Sequence, residues 1–433
     1  MAITGRTVLA AFAGTLVVLA VGSLGAWTAW AVIGALALLV AVDLALAPSA
    51  RRVSFERSGE TGIRLGESAE VELVVVNPSG RRLRGVLRDA WAPSSGARPE
   101  RHPLSVPAGE RRRLSTVLTP VRRGDHRAAG VTVRCVGPLG LAARQATHEV
   151  PWTVRVLPPF HSRRHLPGKL ARLRELDGRH SALVRGQGSE FDSLREYVPG
   201  DDVRSIDWRA TARRDSVVVR TWRPERDRRI LIVLDTGRTS AGRVGDTPRL
   251  DHAMDAALLL AALAAKAGDR VDLLAFDRRV RTQVRSTGRG SAVPAIVQAM
   301  APLEAELVET DQAGLVASIL SGQGRARRLV VLLTDLNASA MEEGLLPVLP
   351  ALTSRHLVMV AAVGDPAVTA MAAERGDAPA VHRAAAAART LGDRRRITAE
   401  LRRHGVEVVD ADPEHIAPAL ADAYIDLKAQ GRL

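Results

Sequence analysis

Four aspartates in the second half of the chain follow apolar runs with the composition of buried strands. Asp235 follows "RRILIVL", Asp277 follows "RVDLLAF", Asp335 follows "RLVVLLT" and Asp365 follows "HLVMVAAVG". In an open parallel sheet, ligands bind in the crevice at the carboxyl ends of the strands. These carboxylates are therefore candidates for binding or catalysis at one end of a sheet.

Hydroxyl side chains accompany these carboxylates. Thr239 and Ser240 follow Asp235 in "DTGRTSAG", Thr310 stands in "ETDQAG", and Asp335 ends "LLTD". Hard cations such as Mg²⁺ prefer carboxylate, hydroxyl and water oxygens, so these loops could hold one. The alternative is that the same residues cap helices, for which Asp and Thr are common choices.

A charged segment, "EFDSLREYVPGDDVRSIDWRATAR" at residues 190–213, precedes the first of these strands. It lacks the period of 2 or 3.6 that predicts an ordinary strand or helix. Arginine pairs with carboxylates through two hydrogen bonds and stacks on aromatic rings, so one fixed polar cluster is expected. Two uses remain open: a docking surface for a protein partner, or a clamp onto the domain that follows. The candidate residues are Asp201, Asp202, Arg204, Asp207, Trp208 and Arg213.

The apolar runs from residue 228 onward alternate with helical stretches. This alternation of strand-like and helical stretches predicts a doubly wound α/β domain with a mostly parallel sheet over residues 228–433. Residues 51–157 instead alternate apolar and polar positions between Gly, Pro and Asn, which is typical of a small antiparallel β-sandwich. Residues 158–227 begin with two prolines, which cannot continue a ladder, and are predicted to be a linker carrying the charged segment.

The first fifty residues contain two apolar runs, at 8–24 and 27–47. Each has the length needed to span a bilayer, about 17–25 residues. Arg6 precedes the first run, and Arg51 and Arg52 follow the second. The positive-inside rule therefore predicts a transmembrane hairpin with both ends, and the domains, in the cytoplasm. A cleaved signal peptide is the alternative, but its apolar region would be much shorter.

Composition and motifs argue against several function classes. The net charge is +14, but the arginines are spread among acids, without the basic block or aromatic platform of nucleic-acid binders. The chain has no G-x-S-x-G, no G-x-x-x-x-G-K-[ST] and no H-E-x-x-H motif, so common hydrolase, nucleotidase and zinc-protease mechanisms lack their usual groups. An enzyme is not expected. A metal-dependent hydrolase that uses the strand-end carboxylates remains the alternative.

The strand-end pattern resembles the metal-ion-dependent adhesion site of the von Willebrand factor A fold. The resemblance implies that Asp235, Thr239, Thr310 and Asp335 hold Mg²⁺ or Mn²⁺, whose open position takes a partner's carboxylate. Gly237 departs from the pattern, because a serine ligand is expected at that position.

The stretch "REYVPGDDVRSIDWRATARR", with "RRG" at 122–124 and "GPLGL" at 137–141, resembles the bacterial family called domain of unknown function 58. "GPLGL" differs from the usual D-P-F-G-L at its first and third positions. The resemblance implies a protein of the bacterial inner (plasma) membrane that works with a MoxR-type AAA+ ATPase. We therefore expect a membrane-tethered, non-enzymatic adaptor for that ATPase or its client in protein assembly or maturation.

Overall fold

The computed structural model describes residues 2–20, 26–183, 190–213, 216–223, 228–286, 292–321 and 327–433. The chain divides into two compact units, Met1–Leu157 and Pro158–Leu433.

Two apolar helices, α1 (Gly5–Ala20) and α2 (Trp27–Leu46), begin the first unit and pack against each other. Their large side chains are mostly exposed, with Phe12 at 64 % and Trp30 at 74 %. Within the described residues, one helical segment, Trp27–Arg52, which includes α2, is long and apolar enough to cross a membrane. Helix α1 has 16 residues, and residues 21–25 of the first predicted span lie outside the described part. The structure thus supports one spanning helix, and the hairpin stays a prediction.

The strands of the first unit form two facing sheets. Seven strands make one sheet and three make the other, in the order β2-β4-β7. Leu73 and Val75 of β4 share one buried cluster with Val131 and Val133 of β8, so the core lies between the sheets. Burial alternates along β4, as period 2 predicts. The strands are β1 (Ala2–Ile3), β2 (Ser54–Gly59), β3 (Gly62–Arg64), β4 (Ala69–Val76), β5 (Leu83–Trp91), β6 (Arg101–Val106), β7 (Arg111–Leu118), β8 (Gly124–Val136), β9 (Ala142–His148) and β10 (Thr153–Leu157).

A buried ion pair joins the two sheets. Arg57 of β2 donates hydrogen bonds of 3.1 and 2.7 Å to the two carboxylate oxygens of Asp89 in β5. Both side chains are 1 % exposed. Trp91 Nε1 and Thr116 Oγ1 also donate to Asp89, at 2.9 and 3.4 Å. The Asp89 carboxylate is therefore fully committed inside the sandwich.

The single acid of α2, Asp43, is fully buried against a turn of the β-sandwich. Its carboxylate accepts hydrogen bonds from the backbone N–H groups of Leu139 (2.6 Å), Leu141 (2.7 Å) and Ala142 (2.8 Å). A Cβ atom at Gly137 would overlap the Asp43 carboxylate, so glycine is needed for this close approach. The "GPLGL" element thus forms a turn that binds the Asp43 carboxylate of α2.

Two arginines from the sandwich satisfy carbonyls at the end of α2. Arg144 Nε donates to Leu44 O at 3.1 Å, and Arg81 Nη1 donates to Leu46 O at 2.8 Å. The last carbonyls of a helix have no partner within the helix, and positive charge near them is favourable. Helix α2 is therefore joined to the sandwich by polar contacts as well as by the chain.

The described strands of the second unit form a six-stranded sheet and two separate two-stranded pairs, β11-β12 and β14-β15. They are β11 (Glu190–Glu196), β12 (Val218–Arg223), β13 (Arg229–Asp235), β14 (Arg243–Val244), β15 (Thr247–Pro248), β16 (Arg270–Phe276), β17 (Val280–Val284), β18 (Leu329–Leu333), β19 (Leu357–Val363) and β20 (Glu407–Ala411). The helices are α3 (Leu166–Leu183), α4 (Trp208–Thr211), α5 (Arg238–Ala241), α6 (Arg249–Lys266), α7 (Ala292–Met300), α8 (Gln312–Ser321), α9 (Leu349–Thr353), α10 (Pro366–Ala372), α11 (Ala378–Arg403) and α12 (Ile416–Ala429).

The large sheet has the order β17-β16-β13-β18-β19-β20. Four of its five parallel strands, β13, β16, β18 and β19, are the apolar runs before the four aspartates, and β20 is the fifth. The prediction that a helix follows each run is wrong for β16, which is followed by the antiparallel edge strand β17. Residues Leu231 and Val233 pack with α8, α9 and α11 in one cluster, while the intervening Ile230 and Ile232 are buried on the opposite face. Both faces of the sheet are therefore covered, as continuous apolar strands require.

Residues 158–183, predicted to be linker, belong to the second compact unit. The Ser162 hydroxyl and N–H donate to the Asp255 carboxylate of α6, at 3.0 and 3.2 Å. Lys169 of α3 pairs with Asp422 of α12 at 2.5 Å. These contacts fix α3 to the helices of the α/β unit.

Candidate functional site

Asp235, the last residue of β13, lies where the strand order of the sheet reverses. It is 4 % exposed. One carboxylate oxygen accepts hydrogen bonds from Gly237 N (2.8 Å) and Thr310 Oγ1 (2.6 Å). The other accepts from Thr334 Oγ1 (2.6 Å) and Thr239 Oγ1 (3.3 Å). Three predicted site residues, Asp235, Thr239 and Thr310, are therefore brought together, and Thr334 joins them.

Gly237 stands where the adhesion-site pattern has a serine. A Cβ atom there would overlap Thr310 Oγ1 and would lie 3.0 Å from Val308 O and 3.1 Å from Asp235 Oδ1. The Thr310 hydroxyl thus fills the space that a serine side chain would need. The departure at Gly237 is part of the packing of the site.

Asp335, the fourth predicted ligand, has guanidinium partners. Arg394 of α11 donates from Nη1 to one oxygen at 2.6 Å, and Arg249 of α6 donates to the other at 3.4 Å. Arg394 also donates from Nη2 to Asp410 of β20 at 2.6 Å. Burial opposes the charged form of Arg394, but Asp410 and Asp335 outweigh it, and the pKa of Arg394 is raised.

A small cavity lies at the carboxyl ends of β18 and β19. Its lining includes Ser240, Arg249, Thr334 and Asp335, with apolar atoms of neighbouring residues. The cavity therefore adjoins both the hydroxyl cluster at Asp235 and the arginines at Asp335.

The other two strand-end aspartates, Asp277 and Asp365, accept hydrogen bonds from neighbouring residues. Asp277 is 2 % exposed and accepts from Thr236 Oγ1 at 3.1 Å and from Arg278 N at 2.6 Å. Asp365 caps α10 through Ala367 N at 2.9 Å. The helix-cap alternative thus describes Asp365 well.

The crevice residues do not fit a divalent cation. Four donors already point at the Asp235 carboxylate, Gly237 supplies no oxygen, and two guanidinium groups adjoin Asp335. Across the described ranges, no group of three or more His, Cys, Asp and Glu side chains could hold a metal ion. A cation beside Asp335 would meet positive charge that is already in place.

The charged segment begins with β11, which forms an antiparallel ribbon with β12, the strand that follows the segment. Its described connection contains a 3₁₀ turn, Val203–Ser205, and the one-turn helix α4. Asp202 caps the 3₁₀ turn through Arg204 N, at 2.9 Å. The segment is therefore a small structured module, which the sequence pattern did not indicate.

Two separate ion pairs stand where one polar cluster was expected. Asp201 accepts two hydrogen bonds from Arg195, at 2.8 and 2.6 Å, which lower the pKa of Asp201. Asp207 caps α4 through Arg209 N and Ala210 N, both at 3.0 Å, and accepts from Arg220 Nε at 2.8 Å. Asp201 and Asp207 thus stabilise the fold of the ribbon and its connection.

The remaining candidate residues of the segment, Arg204, Trp208 and Arg213, point into solvent. Trp208 is 68 % exposed, and Val203, which was not a predicted site residue, is 62 % exposed. Arg204 and Arg213 are exposed too. We call Val203, Arg204, Trp208 and Arg213 the ribbon surface.

Comparisons with known proteins identify relatives of part of the chain. Residues 193–404 match the model of the family described as "Protein of unknown function DUF58". Uncharacterized protein YeaD of Bacillus subtilis is 29 % identical over 129 residues, which are 28 % of this chain and 30 % of that protein. Uncharacterized protein Rv1480 of Mycobacterium tuberculosis is 29 % identical over 198 residues, 44 % of this chain and 60 % of that protein. The chain therefore matches less than two thirds of either relative.

Among solved structures, the conserved hypothetical protein BatB from Bacteroides thetaiotaomicron is similar to this chain. The TM-score is 0.32 at 15 % identity, over 47 % of this chain and 99 % of that one.

Proposed function

We propose that this chain is a membrane-tethered, non-enzymatic adaptor of the DUF58 type. Its α/β unit would engage a MoxR-type AAA+ ATPase, or the client of that ATPase, in protein assembly or maturation. The ribbon surface carries the proposal: an exposed tryptophan with neighbouring arginines lies on a module in which Asp201 and Asp207 pair with arginines of the module itself. The segment from residue 193 onward also falls within the family match.

The exposure of Trp208 favours docking over the clamp. A clamp would bury the tryptophan against the following domain, whereas 68 % of it is exposed. The ion pairs of Asp201 and Asp207 run to Arg195 of β11 and Arg220 of β12, within the same ribbon. Tryptophan and arginine are enriched among residues that dominate binding energy at interfaces, which suits the ribbon surface to a protein partner.

The hydrolase alternative has less support. A hydrolase of this kind needs a metal-bound water and a carboxylate free to act as a base. Both oxygens of Asp235 accept hydrogen bonds, and both oxygens of Asp335 face guanidinium groups. The crevice therefore supports binding or structural roles better than hydrolysis.

Replacing Trp208 tests the docking role. The Trp208→Ala chain, purified in detergent, should bind the MoxR-type ATPase of the same organism about 30-fold more weakly, since a hot-spot truncation costs about 2 kcal/mol. Its melting temperature should stay unchanged, because the side chain is exposed. Leu307→Ala, at a 78 % exposed position outside the ribbon, is the matched control and should bind normally. Unchanged capture by Trp208→Ala would rule out docking, and a lowered melting temperature would favour the clamp.

The proposal also includes a membrane hairpin of α1 and α2 in the bacterial plasma membrane, with both units cytoplasmic. Support comes from the spanning length of α2, the packing of α1 on α2, and the arginines at positions 6, 51 and 52.

An introduced cysteine tests this topology. Cys135 cannot report on it, because the residue is fully buried and burial raises its pKa to about 11. A membrane-impermeant thiol reagent should label the Leu307→Cys chain only after cell lysis, with the native chain unlabelled as the control. Labelling of Leu307→Cys in intact cells would contradict the cytoplasmic assignment.

A further inference from the structure

We infer that arginine takes the place of a metal ion in the strand-end crevice, so that the crevice is complete without a divalent cation. The inference goes beyond the adaptor proposal and does not depend on it. It concerns the charge balance among Asp235, Asp335, Asp410, Arg249 and Arg394.

Both carboxylate oxygens of Asp235 are already occupied by hydrogen-bond donors of the chain. A carboxylate that binds Mg²⁺ must turn an oxygen lone pair toward the ion. Here the N–H of Gly237 and the hydroxyls of Thr239, Thr310 and Thr334 approach its two oxygens, at 2.6–3.3 Å. The hydroxyls that would be ligands in an adhesion site serve as hydrogen-bond donors to the carboxylate.

The second step is the neutralisation of Asp335. Arg394 is 11 % exposed and bridges Asp335 and Asp410 with two bonds of 2.6 Å. Such short charge-assisted bonds are among the strongest in proteins, and arginine keeps its charge at any physiological pH. Arg249 adds a second positive charge, at 3.4 Å. A divalent cation at Asp335 would have to displace these groups or lie beside them, and both are unfavourable.

The third step is steric. The serine ligand that is absent at Gly237 cannot be replaced by another side chain there, because Thr310 Oγ1 occupies the space. The hydroxyl groups around Asp235 and the arginines beside Asp335 are therefore compatible with each other. Together they give both carboxylates hydrogen-bond partners from the chain itself.

Direct metal binding tests the inference on the full chain in detergent. We expect millimolar Mn²⁺ to give the same free-ion electron paramagnetic resonance signal with the native chain and with Asp235→Asn. Mg²⁺ and EDTA should leave the melting temperature of the native chain equal to that in NaCl of matched ionic strength. Stoichiometric Mn²⁺ binding that Asp235→Asn abolishes would overturn the inference.

The arginine role has its own test, in buffer with EDTA. Arg394→Gln should lower the melting temperature by several degrees, because Asp335 and Asp410 lose their shared partner. Arg396→Gln, on the same helix but 55 % exposed, should change it little. Equal stability of the two variants would contradict the assignment. If Arg394→Gln does not fold, the Mn²⁺ comparison of the native and Asp235→Asn chains decides the question.

Discussion

Replacing Asp43 by alanine is expected to destabilise the first unit by about 3–5 kcal/mol. The change removes the acceptor for three backbone N–H groups in the turn that binds α2. A buried donor left without a partner costs about 1–3 kcal/mol, and water entering the vacated space would offset part of the sum. The loss of stability is measured by denaturing the full chain in detergent and monitoring protease cleavage within residues 51–157.

Two controls separate the role of the charge from that of shape. Asp43→Asn keeps the volume and one acceptor oxygen, so its loss should be smaller than that of Asp43→Ala. Gly137→Ala should also destabilise, since its Cβ would overlap the Asp43 carboxylate, whereas Gly80→Ala has nothing within 4 Å. Protease resistance of Asp43→Ala equal to the native chain would show that the turn does not depend on the carboxylate.

Asp89→Ala is expected to cost about 3–5 kcal/mol, because it leaves Arg57 as a buried charge without a partner. The guanidinium lies between the sheets with 1 % of its side chain exposed. Glu72→Ala is the matched control: it breaks an ion pair with Arg113 that is 68 % exposed on the arginine side, and should cost less than about 1 kcal/mol.

A double substitution sharpens this second prediction. Arg57→Met with Asp89→Leu removes both charges and restores apolar contacts, so part of the stability lost in Asp89→Ala should return, although Trp91 Nε1 and Thr116 Oγ1 still lack their acceptor. Equilibrium unfolding of the three variants by urea compares them directly. If Asp89→Ala were as stable as Glu72→Ala, the buried pair would not be holding the sheets together.

Local patterns were enough to predict the parallel strands that end in carboxylates, but not the antiparallel edge strand β17. Strands buried on both faces are continuously apolar, which made β13, β18 and β19 visible in the sequence. The placement of Asp235 and Thr239 followed from the rule that parallel strands share a carboxyl end, whereas Thr310 was included because of the resemblance to the adhesion site. Thr334 could have been added by the same rule, because it stands directly before Asp335.

Long-range polar pairs were not predictable in this way. Arg394 lies in a polar helix among other arginines, and nothing in that run distinguishes it as the partner of Asp335, 59 positions away. The acceptor role of Asp43 depends on a turn 96 to 99 residues later. The ribbon of β11 and β12 was missed because the sequence of the charged segment has no strict alternation of apolar and polar residues.

The contact between Gly237 and Thr310 has a consequence for how the site can change in evolution. A single substitution of Gly237 by serine would place its Cβ atom against the Thr310 hydroxyl. The overlap would destabilise the site, although the serine would add a hydroxyl that could bind a metal ion. A change at Thr310 alone would remove a 2.6 Å hydrogen bond to Asp235 and leave the glycine in place. Each single step is thus expected to be unfavourable on the background of the other residue. The two positions are therefore coupled. A lineage that carries this pair is expected to keep it until both residues change together, because each intermediate with one change is less stable.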